Sequence, residues 1–299
     1  MIIAPEKIKN FTIIGSGTLG SRIGLQAALS GYQVTLYDIN EDSFNRAKKD
    51  FSRIKSLLVK YGRENDASFD KKTSHIIYTT DLEQACINAD FISESVIEDI
   101  SLKKKVWTEI GQLCPEHTIP TTNTSYLLPS YFATESGRPE MFCAFHFHDV
   151  FTARVVDIMP HKDTDPAIIS LLKEVGYKLN QIPVVIQKET PGYIFNKLFG
   201  VILTTAGSML AQGIADVEDI DKSWMGNFNV RIGPFGMMDE VGLDTVYHVA
   251  KNMDFTGKEP FMHLIKKMLA DGKLGIKSGS GFYSYPNPSF KNKNFLITT

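Results

Sequence analysis

The sequence predicts an α/β protein: a Rossmann-type, doubly wound and mostly parallel sheet, followed by an all-helical C-terminal domain. Three observations lead there. Short β-rich runs alternate with helical patterns through the first half, the order expected of a parallel sheet covered on both faces. A glycine-rich turn, Gly15-Ser16-Gly17-Thr18-Leu19-Gly20, separates the first strand pattern from the first helix pattern. Beyond Pro191 the strand patterns stop and apolar helical stretches take over.

Each element has its own signal. Residues 11–14 form a β run stopped by Gly15, and a helix is expected over 18–30 with Gly31 as its C-cap. A second strand over 33–37 ends at Asp38. Asn40 then caps a helix over 41–60, in which Phe44, Ala47, Phe51, Ile54 and Leu58 recur at helical spacing. The polar stretch 61–74 reads as a loop or short hairpin. Further strands are expected at 76–78, 91–93, 118–119, 142–147, 155–159 and 184–186, with helices over 101–113 and 166–175. Lys188-Glu189-Thr190-Pro191 marks the boundary between a domain over 1–188 and a helical domain over 189–299. Pro191 suits the first turn of a helix. Helices near 215–224, 236–252 and 260–270 complete the second domain.

Composition narrows the function. At 299 residues, with 43% hydrophobic and 22% charged residues, the chain is an ordinary globular protein long enough for two domains. Its 32 basic and 34 acidic residues leave a net charge of -2, so no basic field invites nucleic acid. Cys86, Cys114 and Cys143 lie far apart with no C-x-x-C pair, which fits a reducing compartment. The N-terminus lacks a signal-peptide pattern, and the uncharged stretch 198–212, which contains Thr204, Thr205, Gly207 and Ser208, falls short of the ~18 apolar residues of a membrane span. The expectation is a soluble cytoplasmic protein without a membrane partner. His75, His117, His161, His248 and His263 share no metal-ligand spacing, so no metal is expected.

The glycine motif carries a mechanism. Gly15 permits the tight turn, Gly17 lets the backbone approach a pyrophosphate, and Gly20 lets helix and strand pack closely. The helix starting at Thr18 and Leu19 offers free N–H groups and a positive dipole end to phosphates. Asp38, 18 residues beyond Gly20, can accept from both ribose hydroxyls and would repel a 2′-phosphate. NAD is therefore favoured over NADP.

Polar clusters follow near the ends of later strands: Glu94 with Glu98, Asn123-Thr124-Ser125, and His146-Phe147-His148-Asp149. Asn196 opens the helical region. Hydride chemistry on an alcohol needs a base for the hydroxyl proton, and histidine suits neutral pH. Pattern alone does not choose between His146 and His148.

Together these residues resemble the 3-hydroxyacyl-CoA dehydrogenase family, which includes 3-hydroxybutyryl-CoA dehydrogenases, gulonate dehydrogenases of the lambda-crystallin branch and a bacterial diketoreductase. The resemblance spans nearly the whole chain. It rests also on Thr190-Pro-Gly-Tyr-Ile-Phe-Asn196, Ile232-Gly-Pro-Phe-Gly236, Asp239-Glu-Val-Gly-Leu-Asp244 and Lys277-Ser-Gly-Ser-Gly-Phe-Tyr283, which no generic dinucleotide fold requires. It implies that His146 is the catalytic base, that Ser125 and Asn196 bind the substrate, and that Glu98, Lys103, Asn123 and Lys277 contact the dinucleotide. It further implies a homodimer formed through the helical domain.

Two departures stand out. The family has a glutamate twelve residues beyond the histidine and Phe-Asn where this chain has His148-Asp149; here Asp157 falls at the glutamate position, one residue early. Asp157 is the expected partner of His146, and Asp149 is expected near the nicotinamide. The CoA-binding Ser and Lys of the family also match poorly, with Ser52, Lys55, Ser56, Lys60, Arg53 and Arg63 as possible substitutes. The leading substrate is thus a short 3-hydroxyacyl-CoA, and the runner-up a free hydroxy acid or a diketo compound. A non-catalytic NAD-binding protein, crystallin-like or redox-sensing, is the alternative of another class.

Overall fold

The computed structural model describes residues 2–251, 253 and 255–297. The chain divides into two compact units, residues 1–193 and 194–299. The first unit runs β1 (Asn10–Ile14), α1 (Thr18–Leu29), β2 (Gln33–Tyr37), α2 (Glu41–Lys60), α3 (Asp66–Thr73), β3 (Ile77–Thr79), α4 (Leu82–Cys86), β4 (Phe91–Glu94), α5 (Ile100–Leu113), β5 (Ile119–Thr122), β6 (Cys143–Phe147), β7 (Val155–Pro160), α6 (Pro166–Lys178) and β8 (Ile182–Val185).

The eight strands form one sheet in the order β3-β2-β1-β4-β5-β6-β7-β8. Every neighbouring pair is parallel except β6 with β7. Chain order reverses between β1 and β4, which opens a crevice at the carboxyl ends of the strands. Central strands are apolar on both sides because helices cover both faces; Phe11, Ile13, Phe91, Phe145 and Ile158 are wholly buried.

Helix starts in this unit follow one rule with one exception. Asn40, Asn65, Asp81, Asp99 and Asp165 each cap α2 to α6 by accepting a backbone N–H of the first turn. Helix α1 begins at Gly17 with no side-chain cap, so its first-turn donors stay available.

The structure corrects several expectations. Residues 61–74 contain α3, not a loop or hairpin; Phe69 is its one buried residue, too little for a periodic pattern. Helix α7 (Tyr193–Ala211) starts after Pro191, because Gly192 and Tyr193 both take positive φ, 78° and 54°. By length and composition alone α7 is apolar enough to cross a membrane, since it extends past the uncharged run to include Asn196 and Lys197.

The second unit continues with α8 (Val217–Phe228), α9 (Pro234–Val241), α10 (Leu243–Lys251) and α11 (Lys258–Ala270). The single helix expected over 236–252 is broken by Gly242 at φ 96° into α9 and α10, and Asn252 lies outside the described residues. Phe235, Met238, Leu243, Phe261 and Ile265 form its core. Two buried carboxylates organise it. Asp221 accepts from the N–H groups of Phe235 and Gly236 and from the Tyr283 hydroxyl. Asp239 accepts from the N–H groups of Phe282 and Tyr283 and from the Tyr285 hydroxyl. The Gly-Pro-Phe-Gly and Gly-Phe-Tyr motifs are therefore bound together by these two acids.

Candidate active site

The β1–α1 turn is built for a phosphate. Gly15 adopts φ 101°, and the N–H of Ser16 donates to Asp38 Oδ2 at 2.9 Å. Asp38 Oδ1 accepts from Asn40 N–H at 3.1 Å, so the acid is fixed at the end of β2 with lone pairs remaining for a diol. A Cβ on Gly20 would lie 2.1 Å from the Gly15 carbonyl oxygen, whereas a Cβ on Gly17 would meet no atom within 4 Å. Gly17 thus faces open space at the uncapped start of α1, beside Thr18 and Leu19. A cavity of about 200 Å³ lies there, lined by Ser16, Gly17, Thr18, Ser21, Arg46, Ala47 and Asp50. Open backbone, free helix donors and a ribose-directed carboxylate fit NAD. Arg46, in the second turn of α2, also lines the cavity.

Next to this turn, a buried network supports the strand ends. Glu94 Oε1 accepts from Lys103 Nζ at 2.6 Å and from the Val96 N–H at 2.8 Å, and Oε2 accepts from Thr122 Oγ1 at 2.7 Å. Lys103 also donates to the Val96 carbonyl. Both charged residues are 0% exposed. The structure therefore corrects the expectation for Lys103: sealed against Glu94, it supports the crevice from below and presents no surface to a ligand.

Above that network, Glu98 accepts from Thr124 Oγ1 at 2.6 Å and from the Ser125 N–H at 2.8 Å. Asn123 donates to Ser95 Oγ and accepts from the Phe147 N–H at 2.8 Å, tying the ends of β4, β5 and β6 together. The Ser125 N–H is used in this way, but its half-exposed hydroxyl donates to none of the described residues.

His146 sits near the carboxyl end of β6, directly across from Asp157 in the antiparallel register. His146 Nδ1 and Asp157 Oδ2 are 3.1 Å apart, so the aspartate reaches the ring despite its shorter side chain. Both are buried. Burial pushes the imidazole below its usual pKa, against the opposing pull of Asp157. Burial also acts to raise Asp157, but hydrogen bonds from His146 and His148 outweigh it and hold the carboxyl below the usual range.

Two more side chains complete this cluster. His148 Nε2 approaches the same Asp157 oxygen at 2.9 Å. Tyr193 stacks on the His146 ring with centroids 4.4 Å apart and donates its hydroxyl to the Thr124 carbonyl at 2.6 Å. Burial holds the Tyr193 phenol well above its usual pKa, so it stays neutral. His146, His148 and Asp157 also have the composition of a metal site, with ligand atoms within 4.8 Å of one another. Their mutual hydrogen bonds account for the arrangement. Sequence spacing offers His148 as an alternative base but not as a partner of Asp157, which depends on strand register, and it misses Tyr193, which the turn before α7 brings to the ring.

Asp149 is held by its own turn and by α1. It accepts from the N–H groups of Phe151 and Thr152 and pairs with Arg22 at 3.0 Å, while Arg22 also binds Asp50 at 2.7 Å. It thereby shapes the turn between β6 and β7. Asn196 and Lys277 belong to the second unit, where Asn196 is half-buried in the first turn of α7 and Lys277 pairs with Asp244 at 2.6 Å.

Comparison with known proteins agrees with this geometry. The NAD binding domain model of 3-hydroxyacyl-CoA dehydrogenase matches residues 10–190, and the C-terminal domain model of the same enzyme matches 192–285. A probable 3-hydroxyacyl-CoA dehydrogenase of Caenorhabditis elegans is 32% identical, over 94% of this chain and 97% of the relative. The mitochondrial hydroxyacyl-coenzyme A dehydrogenase of Homo sapiens is 30% identical, over 93% of this chain and 91% of its own. The solved structure of a diketoreductase that acts on dicarbonyl compounds superposes with a TM-score of 0.87 at 37% identity, covering 93% of this chain and 99% of that one. With both domains matched and the cofactor turn formed, this chain belongs to the 3-hydroxyacyl-CoA dehydrogenase family and is an NAD-dependent oxidoreductase.

Proposed function

We propose that the chain interconverts a 3-hydroxy and a 3-keto group, with His146 as the general base in oxidation and the general acid in reduction. The observation that carries this reading is the buried His146–Asp157 pair at the crevice end of β6. Asp157 fixes the tautomer with the proton on Nδ1, which leaves Nε2 as the base. On oxidation Nε2 takes the hydroxyl proton as the C3–H bond gives up its hydride and the C3–O bond becomes a carbonyl. NAD, when bound, supplies the hydride acceptor. Asp157 then stabilises the imidazolium, and the Ser125 hydroxyl polarises a substrate oxygen.

The leading substrate is a short (S)-3-hydroxyacyl-CoA, in keeping with relatives named for that activity. A second reading, a free hydroxy acid or dicarbonyl compound, is favoured by α2. There Arg53 pairs with Asp50 and Lys55 with Asp66 and Asp70, and just beyond the helix Arg63 donates to the Phe151 carbonyl, so these cations already have partners. The 37% identity to a diketoreductase points the same way.

His146→Asn should lower turnover by about 10²–10⁴-fold while NADH binding, followed by fluorescence, persists. Unchanged turnover would remove His146 from the mechanism and favour a non-catalytic NAD-binding role. Initial rates with NADH at 340 nm then separate substrates. Rapid turnover of acetoacetyl-CoA alone supports the thioester reading, and turnover of free acetoacetate or a diketo ester alone supports the second.

A further inference from the structure

We infer that His148 is a positioning residue that sets the basicity of His146 by sharing the Asp157 carboxylate with it. The inference rests on the reading of His146 as the base. It starts from a convergence in which Asp157 Oδ2 lies 3.1 Å from His146 Nδ1 and 2.9 Å from His148 Nε2. The two rings belong to the same strand direction, two residues apart and on one face, and meet edge to face with centroids 4.8 Å apart.

Backbone register already fixes the acid. Asp157 is paired across the ladder with His146, and the ladder continues through the His148 N–H to the Val155 carbonyl. Orientation of His146 therefore does not require His148. What His148 adds is a second claim on one oxygen. A neutral His148 N–H drains negative charge from the carboxylate that would otherwise stabilise imidazolium at position 146. A protonated His148, whose side chain is 13% exposed against 4% for His146, adds direct repulsion. Both effects disfavour a proton on His146.

Among the described residues, the other groups facing His146 do not reproduce this. Asp157 on β7 and Glu98 after β4 favour the imidazolium, and neutral Tyr193 at the start of α7 covers the ring face without charge. Burial and His148 therefore stand together against the two carboxylates. The consequence is a base that is unprotonated, and so ready for oxidation, at a lower pH than a one-histidine pair would allow.

The test compares pH profiles of kcat/KM for oxidation in the wild type, His148→Phe and His148→Gln, with NADH binding to show that each variant is folded. Phe removes the hydrogen bond and the charge, and Gln restores an N–H donor without a titrating ring. The acid limb should move up by roughly one pH unit in the Phe variant and by less in the Gln variant. A role in packing alone would lower rates at every pH and leave the limb in place; an unmoved limb, or one moved downward, overturns the inference. His146→Asn, assayed alongside, separates the two ideas. If it retains turnover the base assignment fails, and if it is inactive while the limb of His148→Phe is unmoved, only the role of His148 fails.

Discussion

Single residues carry the chemistry, and they differ in how plainly the sequence declares them. Gly15 and Asp38 stand in a motif whose spacing is local, so their roles follow from order along the chain, whereas only the family resemblance singles out His146 over His148. His148 is visible as a letter, but its grip on Asp157 depends on which residues the antiparallel pair sets opposite each other. Lys103 shows the reverse, because family resemblance places it at the cofactor and the fold places it in a buried pair with Glu94. Charges taken out of water must be matched, so removing one partner strands the other. Lys103→Met should cost about 3–5 kcal/mol in urea unfolding, and adding Glu94→Gln should recover part of that loss. Equal stability of the single variant and the wild type would show that the pair contributes nothing to the crevice.

Among elements, α1 and the turn before it separate folding from binding. Gly17 and Gly20 look alike in the motif, yet one faces open space and the other faces the Gly15 carbonyl. Gly20→Ala should lower thermal stability markedly, because a Cβ at 2.1 Å must displace backbone. Gly17→Ala should melt near the wild-type temperature and bind NADH at least about tenfold more weakly, since its methyl fills the space left for the pyrophosphate. Calorimetry and fluorescence titration of the two proteins would check this contrast; loss of stability in Gly17→Ala would refute it. Strands and long helices were legible from their periodicity and caps. Helix α3 was not, with only Phe69 buried, and the break at Gly242 was hidden because apolar spacing runs on through it.

At the scale of the molecule, paired carboxylates make stability depend on pH. In the first unit Asp50, Asp90 and Asp149 are held below the usual carboxylate range, since their hydrogen bonds from Arg22, from Lys9 and Asn10, and from the 149–152 turn outweigh the upward push of burial. A depressed folded-state pKa gives stability that is present above the unfolded value and lost as pH falls through the folded one. Acid unfolding of this unit should therefore set in below about pH 4, followed by circular dichroism; a stability that rises on acidification through that window would contradict the assignment. The second unit exposes Ile194, Leu198 and Val201 along one stripe of α7. We propose that a second copy of the chain covers this stripe. Sedimentation should then show a dimer that Leu198→Glu with Val201→Glu converts to a monomer; a wild-type monomer would dismiss the proposal.

The antiparallel β6–β7 pair has a consequence for how the protein comes into being. His146 and Asp157 are only 11 residues apart, so closing the loop between them costs little chain entropy. A lone two-stranded hairpin is nonetheless marginal in water. β5 and β8 flank this one and hold it in place. The base and its acid thus meet easily during folding but stay together only once the sheet closes around them. An incompletely folded chain would be inactive even with this hairpin formed.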